Sequence, residues 1–83
     1  MWFVYMLRLN DDSLYTGITK DIDRRIKEHE EGRGSKYVRG RTPLKLVYSE
    51  RCTNRSEALK REAEIKSWSK SKKENFVEEK KVT

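Results

Sequence analysis

The sequence predicts one small α/β domain built from three strands and three helices. Three observations predict it: an apolar run at the start of the chain, a second strand-like run after a polar turn, and later stretches with helical periodicity. With 83 residues the chain has room for one thin core, since a chain of this size buries only about 60% of the surface that it exposes when unfolded.

The first two strands are predicted to form an antiparallel hairpin. Residues 2–9 are almost continuously apolar, as in a central strand covered on both faces. Residues 10–13 form a polar turn, and residues 14–18 continue as the second strand. A loop of three or five residues would place Tyr5 and Tyr15 on the same face, whereas a four-residue loop would place them on opposite faces.

A helix follows, with Thr19 or Asp21 as its N-cap and an end near Glu31, where Gly32 can adopt the left-handed conformation. Its apolar stripe is anchored by Ile22 and Ile26, and the helical period places two polar side chains beside that stripe. These two side chains are Arg25 and His29.

After a basic, glycine-containing loop over residues 32–42, residues 44–48 are predicted to form the third strand. Asn54 or Ser56 caps a second helix, in which the carboxylate of Glu62 lies within the apolar stripe. A last helix runs from Ser69 to about Glu79 and is anchored by Phe76 and Val77. The domain is expected to comprise residues 1–78, with residues 79–83 as a frayed tail.

Composition excludes several classes of protein. No apolar stretch reaches the roughly 20 residues of a membrane span, and the N-terminus lacks the basic segment of a signal peptide. We therefore expect a cytoplasmic protein with no membrane partner. Cys52 is the only cysteine, so no internal disulfide and no zinc site built on paired cysteines is expected.

The charge distribution indicates a nucleic-acid partner. Lysine and arginine number 20 against 14 acidic residues, and two acid-free clusters each contain an aromatic residue. Such clusters suit phosphate contacts combined with base stacking, although a solvated lysine-rich surface would have the same composition. The residues expected to contact nucleic acid are Lys36, Arg39, Arg41, Lys66 and Lys70.

Five side chains that interrupt their structural pattern could together form a phosphodiesterase site. Glu62 could hold one Mg²⁺ or Mn²⁺ ion, and Arg25 could bind a phosphate through two donors. Tyr5 or Tyr15 could assist the attacking water as a base, and His29 could orient groups or shuttle protons. Each residue also has a structural explanation. The two tyrosines could be core residues, and His29 could be a core histidine with its hydrogen bonds satisfied. Arg25 and Glu62 could form ion pairs along their own helices.

Read in order, these residues resemble the GIY-YIG nuclease domain. Residues 3–7 stand where that family has its first motif, and residues 15–17 stand for the second. Residues 15–29 look like the second motif followed by the arginine-bearing helix, and residues 58–66 resemble the helix with the metal-binding glutamate. The chain departs from the motif names at Phe3 and Thr16, and neither is a catalytic position. The resemblance is strongest to small stand-alone bacterial members.

The resemblance implies a three-stranded antiparallel sheet flanked by helices that hydrolyses DNA with one divalent ion. It assigns Tyr5, Tyr15, Arg25 and His29 to catalysis and Glu62 to the metal. Gly17 would act structurally by allowing a close backbone approach. Branched or flapped DNA and a larger repair complex are the expected partners, with a function in repair or recombination. The alternative is a non-catalytic nucleic-acid-binding module, and the oligomeric state is left open.

Overall fold

The computed structural model describes residues 1–80 and confirms the predicted α/β class. Three strands and three helices follow one another in the predicted order. The strands are β1 (Trp2–Arg8), β2 (Leu14–Thr19) and β3 (Lys45–Cys52), and the helices are α1 (Ile22–Glu30), α2 (Arg55–Lys66) and α3 (Lys70–Glu79).

The sheet has the order β2-β1-β3, and both pairings are antiparallel, so β1 is the central strand as predicted. Leu7 pairs with Tyr15 and Arg8 pairs with Leu14, which leaves a loop of five residues, 9–13. Because side chains alternate along a strand, this register places Tyr5 and Tyr15 on the same face. The register thus decides between the alternatives that the sequence left open.

Side chains of β1 are buried on both faces of the sheet. Val4 and Met6 pack in one cluster with residues of α2 and α3, among them Ile65. Tyr5 and Leu7 face the other way and pack with residues of α1 and of the following loop. The two thin cores therefore share strand β1, and Tyr5 and Tyr15 belong to the second core.

The predicted third strand, residues 44–48, is too short. In the structure β3 extends from Lys45 to Cys52, and its last residue pairs with Trp2. Exposed Ser49 and Arg51 alternate with less exposed residues, because β3 is an edge strand with one face toward the helices. The polar residues after Tyr48 made this continuation look like a loop.

The helix ends agree with the sequence. Asp21, Asn54 and Ser69 are the N-caps, and each side chain accepts a backbone N–H three residues ahead. Gly32 has a φ of +77°, so the turn after α1 uses the left-handed region that favours glycine. Glu79 is the last residue of α3, and residues 81–83 of the predicted frayed tail lie outside the described residues.

An ion pair connects α3 to the central strand. The two terminal nitrogens of Arg8 donate to the two carboxylate oxygens of Glu74, both at 2.6 Å. About a quarter of the Arg8 side chain and a third of the Glu74 side chain are exposed. Hydrogen bonds from Arg8 lower the pKa of the Glu74 carboxyl.

Glu74→Gln is expected to lower the free energy of unfolding at neutral pH by about 1 kcal/mol, since a bidentate pair has near-ideal geometry but remains partly solvated. Because the folded pKa is below the unfolded value of about 4.3, the contribution is complete above that pH and is lost as the pH falls through the folded value. Urea unfolding across this range measures it. Exposed Glu79→Gln is the control, and equal effects of the two variants would contradict the assignment.

Candidate active site

Four of the sequence-predicted catalytic residues come together on the face of the sheet covered by α1. Tyr5 projects from β1, Tyr15 from β2, and Arg25 and His29 from α1. The ring centroids of the two tyrosines are 6.3 Å apart, and those of Tyr15 and His29 are 5.4 Å apart in an edge-on contact. Residues distant in sequence thus form one compact cluster, which we call the tyrosine cluster.

The tyrosine cluster is centred on a buried hydrogen bond. The hydroxyl of Tyr5 lies 2.8 Å from Nε2 of His29, and each residue is only 1% exposed. Gly17, the pairing partner of Tyr5 on β2, makes room for this tyrosine. A Cβ atom there would lie 2.6 Å from the Tyr5 hydroxyl oxygen. Any larger residue at this position would push the tyrosine away from the histidine.

The other nitrogen of His29 is enclosed by the loop after α1. Within residues 1–80, its Nδ1 atom is the one buried side-chain nitrogen or oxygen that lacks a hydrogen-bond partner. A Cβ atom on Gly34 would overlap the imidazole at Nδ1, so the backbone there passes directly over the ring. If Nε2 carries the imidazole proton, it donates to Tyr5, and the Tyr5 O–H then has no acceptor among residues 1–80; if Tyr5 donates to Nε2, the proton on Nδ1 has none. Either direction therefore leaves one buried donor of this pair unpaired.

Burial sets the protonation states of this pair. It raises the pKa of Tyr5 to about 12, although the neighbouring guanidinium of Arg25 acts in the opposite direction. Burial and the positive charge of Arg25 both lower the pKa of His29. At neutral pH both side chains are therefore uncharged, and the tyrosine is a phenol.

Arg25 lies at the border between the tyrosine cluster and solvent. Its side chain is 32% exposed, and one terminal nitrogen lies 3.1 Å from a carboxylate oxygen of Glu28. The guanidinium also lines an open groove that extends toward Trp2. Its charge is thus accessible to an anion while one of its sides is fixed by the ion pair.

Glu62 approaches from α2, which packs against β2. Its side chain is 18% exposed, and its carboxylate lies 3.3 Å from the ammonium of Lys66 one helical turn later. Its negative charge contributes to the raised pKa of Tyr5, after burial and the charge of Tyr15. The carboxylate therefore lies within electrostatic range of the tyrosine cluster.

The donor set fits one hard cation that keeps most of its water. Among residues 1–80, no three side chains of His, Cys, Asp and Glu come together as a metal cluster. Glu62 would be the single protein ligand, with water and phosphate oxygens as the others, which is the coordination that Mg²⁺ accepts. The paired Lys66 is more than half exposed and can move away from the carboxylate.

The five predicted nucleic-acid contacts differ in their surroundings. Arg39 donates to the carbonyl of Gly32 at 3.2 Å, and Arg41 pairs with Asp11 at 3.0 Å. Lys66 and Lys70 pair with acidic residues one turn away on their own helices, while Lys36 is exposed in the loop. The sequence could not reveal the partner of Arg41, because Asp11 comes 30 positions earlier.

An open groove borders Tyr15. Tyr37, which is 46% exposed, stacks on Tyr15 with a centroid distance of 6.2 Å and an interplanar angle of 21°. The groove is lined by both tyrosines and by the ammonium-bearing side chains of Lys66 and Lys73. The sequence placed Tyr37 within a basic cluster but did not connect it to Tyr15, nor did it identify Gly34.

Within residues 1–80, no helix is long and apolar enough to cross a bilayer.

Known proteins resemble this chain over nearly its whole length. Residues 1–75 match the family model described as the GIY-YIG catalytic domain. A UPF0213 protein of Haloquadratum walsbyi is 52% identical over 77 residues, which are 93% of this chain and 86% of that protein. A UPF0213 protein of Staphylococcus epidermidis is 48% identical over 77 residues, with 93% and 94% covered.

Two solution NMR structures have the same fold. A UPF0213 protein from Bacillus halodurans superimposes with a TM-score of 0.63 at 47% identity, covering 96% of this chain and 86% of that one. A protein from E. faecalis gives a TM-score of 0.62 at 36% identity, with 92% and 81% covered. The family-model match over residues 1–75 and these relatives confirm the resemblance found in the sequence: the chain belongs to the GIY-YIG family, a superfamily of nucleases.

Proposed function

We propose that the protein is a divalent-metal-dependent endonuclease that hydrolyses phosphodiester bonds in DNA. The observation that carries this proposal is the tyrosine cluster, in which Tyr5, Tyr15, Arg25 and His29 converge beside an open groove and within electrostatic range of the Glu62 carboxylate. A merely structural role for these residues would not require that the partly exposed Arg25 and Tyr15 each border an open groove. Membership of a nuclease superfamily supports the proposal.

Arg25 binds the scissile phosphate. Its guanidinium is partly exposed, and Glu28 fixes one of its sides. Donors on the planar fork can match two phosphate oxygens and stabilise the extra negative charge of the pentavalent transition state. A positioned cation lowers the activation barrier most at this stage, when the phosphate carries its extra negative charge.

The two tyrosines have different roles. Tyr5 is buried, its pKa is raised to about 12, and its oxygen faces His29, so it is unsuited to act as a base. Tyr15 lines the open groove and is the tyrosine that can contact the attacking water. We therefore assign proton acceptance to the phenolate form of Tyr15, which becomes the phenol as the water is deprotonated, and the positioning of the cluster to Tyr5 and His29.

Glu62 is the proposed ligand of the Mg²⁺ or Mn²⁺ ion. A divalent cation bound there would neutralise charge on the phosphate oxygens and on the leaving group. Lys66 then exchanges its carboxylate partner for the phosphate backbone. Lys73, which lines the same groove, also binds the backbone. Both cations flank the path toward Tyr15.

The wider biological role is also a proposal. A cytoplasmic function in DNA repair or recombination, with branched or flapped substrates and a larger complex, is what the family resemblance implies. We include in this proposal that discrimination among substrates comes from DNA shape or from a partner.

Glu62→Gln is expected to reduce cleavage of DNA by about a hundredfold or more, because the metal loses its only protein carboxylate. A panel of linear, flapped and four-way-junction DNAs, with Mg²⁺, Mn²⁺ or a chelator, measures the rate. The control is Glu64→Gln on the same helix, whose side chain is 56% exposed. Wild-type protein that binds but never cuts would instead favour a non-catalytic binding module, and full activity in chelator would exclude the metal.

Nitrogen NMR of the His29 imidazole is expected to show a neutral ring, with one protonated and one unprotonated nitrogen, at neutral pH, because burial and the charge of Arg25 lower the pKa of His29. Gly34→Ala is expected to displace the ring, alter this spectrum and slow cleavage. Gly40→Ala is the control, because Gly40 has a φ of +80° but no atom near its missing Cβ. A spectrum with both nitrogens protonated in the wild type would refute the neutral state of the imidazole.

The pH dependence of the free energy of unfolding should reflect the lowered pKa of His29. The folded pKa of His29 lies below its unfolded value of about 6.5, so the unfolded chain binds more protons in this window. The free energy of unfolding is therefore expected to decrease as the pH falls below about 6.5, and this part of the decrease should disappear in His29→Gln. Urea titrations at several pH values measure it, and an unchanged pH profile in the variant would contradict it.

A further inference from the structure

A second basic and aromatic surface lies at the opposite end of β2 from the Tyr15 groove. The indole of Trp2 is approached by two cations from different parts of the chain. The ammonium of Lys20, just after β2, lies 5.6 Å from the ring centroid, and the guanidinium carbon of Arg55, at the start of α2, lies 5.8 Å from it. We call these three residues the Trp2 patch.

The two cations of the Trp2 patch are not neutralised within residues 1–80. Neither Lys20 nor Arg55 forms an ion pair with an acidic side chain there, and both are exposed. The nearby Arg24 and Arg25, by contrast, share the carboxylate of Glu28 at 3.6 and 3.1 Å. Cations held over an aromatic ring without a counter-charge are available to an anionic ligand.

An open groove links the Trp2 patch to the proposed phosphate-binding arginine. Trp2, Lys20 and Arg25 all line it, together with two residues at the end of β2 and with Asp21, Arg24 and Glu28 of the α1 region. The Glu28 carboxylate is paired with Arg24 and Arg25, and the Asp21 side chain caps α1. The Tyr15 groove begins at the other end of this strand. Thr16 lines the Tyr15 groove and Ile18 lines the other groove, so the two lined stretches of β2 are separated only by Gly17, and Thr16 and Ile18 are about 7 Å apart along an extended strand. The two grooves therefore flank the tyrosine cluster on different sides.

We propose that the Trp2 patch is a nucleotide-binding subsite for the DNA strand next to the scissile phosphate. Lys20 and Arg55 bind the backbone phosphates, and an unpaired base packs against the exposed part of the Trp2 indole. Stacking on aromatic rings beside a positive groove is a general way to hold single-stranded nucleic acid. The subsite's place relative to the cut rests on the proposed function, whereas its ability to bind a nucleotide does not.

The sequence did not indicate this subsite. Lys20 and Arg55 are isolated cations in the printed sequence, and Trp2 belongs to an apolar run that reads as core. The antiparallel pairing of β1 with β2 and the packing of α2 bring the three residues together.

Tryptophan fluorescence tests the proposal directly, because the chain has only two tryptophans. In Trp68→Phe combined with Glu62→Gln, Trp2 is the only indole and cleavage is suppressed. Titration with a short oligothymidylate is expected to quench the fluorescence of Trp2. A strand of abasic nucleotides should bind more weakly and leave most of the emission unchanged, since it lacks a base to stack.

The contribution of Lys20 and Arg55 to binding is tested in the same Trp68→Phe, Glu62→Gln protein. Lys20→Ala with Arg55→Ala is expected to raise the Kd of the oligothymidylate about tenfold, and to reduce the slope of log K against log salt by about 1.4, as for two lost phosphate contacts on a single strand. The control is Lys45→Ala with Lys60→Ala, which removes the same charge from exposed positions elsewhere. The circular dichroism spectrum of each variant checks that it is folded.

The outcomes separate the two proposals. Quenching of Trp2 together with a specific effect of the Lys20 and Arg55 substitutions supports the subsite even if the wild type cuts no DNA. If the wild type cuts DNA but the emission of Trp2 does not change, or if both double variants weaken binding equally, the subsite is refuted and the proposed nuclease stands.

Discussion

The buried hydrogen bond between Tyr5 and His29 is the constraint on which the rest of the site depends. It joins the central strand to the first helix, and it is enclosed so tightly that two glycines are needed around it. Gly17 leaves space for the phenol, and Gly34 lets the loop backbone cross the imidazole. A buried polar pair of this kind is favourable only when its geometry is satisfied, so it also fixes the orientation of both rings.

That constraint positions the groups that we propose contact the substrate. With Tyr5 and His29 fixed, the Tyr15 ring packs against both, and Tyr37 stacks on its outer side. The basic loop between α1 and β3 is thereby attached to the tyrosine cluster through Gly34 and Tyr37. The proposed nucleic-acid contacts of this loop and the proposed role of Tyr15 are therefore mechanically connected.

Much of the fold could be predicted from local sequence. The apolar run of β1, the caps at Asp21 and Asn54, and the glycine after α1 are local signals, and the structure confirms them. The end of β3 could not be predicted, because an edge strand with one exposed face continues through polar residues.

The candidate site could not be predicted from local sequence pattern alone. The sequence and its family resemblance nominated Tyr5, Tyr15, Arg25, His29 and Glu62, but periodicity could not distinguish a histidine beside an apolar stripe from one that is 1% exposed. The register of the hairpin depended on a loop length that composition left open. The Trp2 patch depends on contacts between residues 18 to 53 positions apart, which no local motif encodes.

A double-mutant cycle with Tyr5→Phe and His29→Gln tests the central role of this hydrogen bond most directly. The free energy of unfolding and the rate of DNA cleavage are measured for the wild type, both single variants and the double variant. We expect a coupling of about 1 kcal/mol or more in stability, and a double variant that cleaves no more slowly than the slower single variant. Additive effects on both quantities, within about 0.5 kcal/mol, would show that the two side chains act independently and would contradict the account.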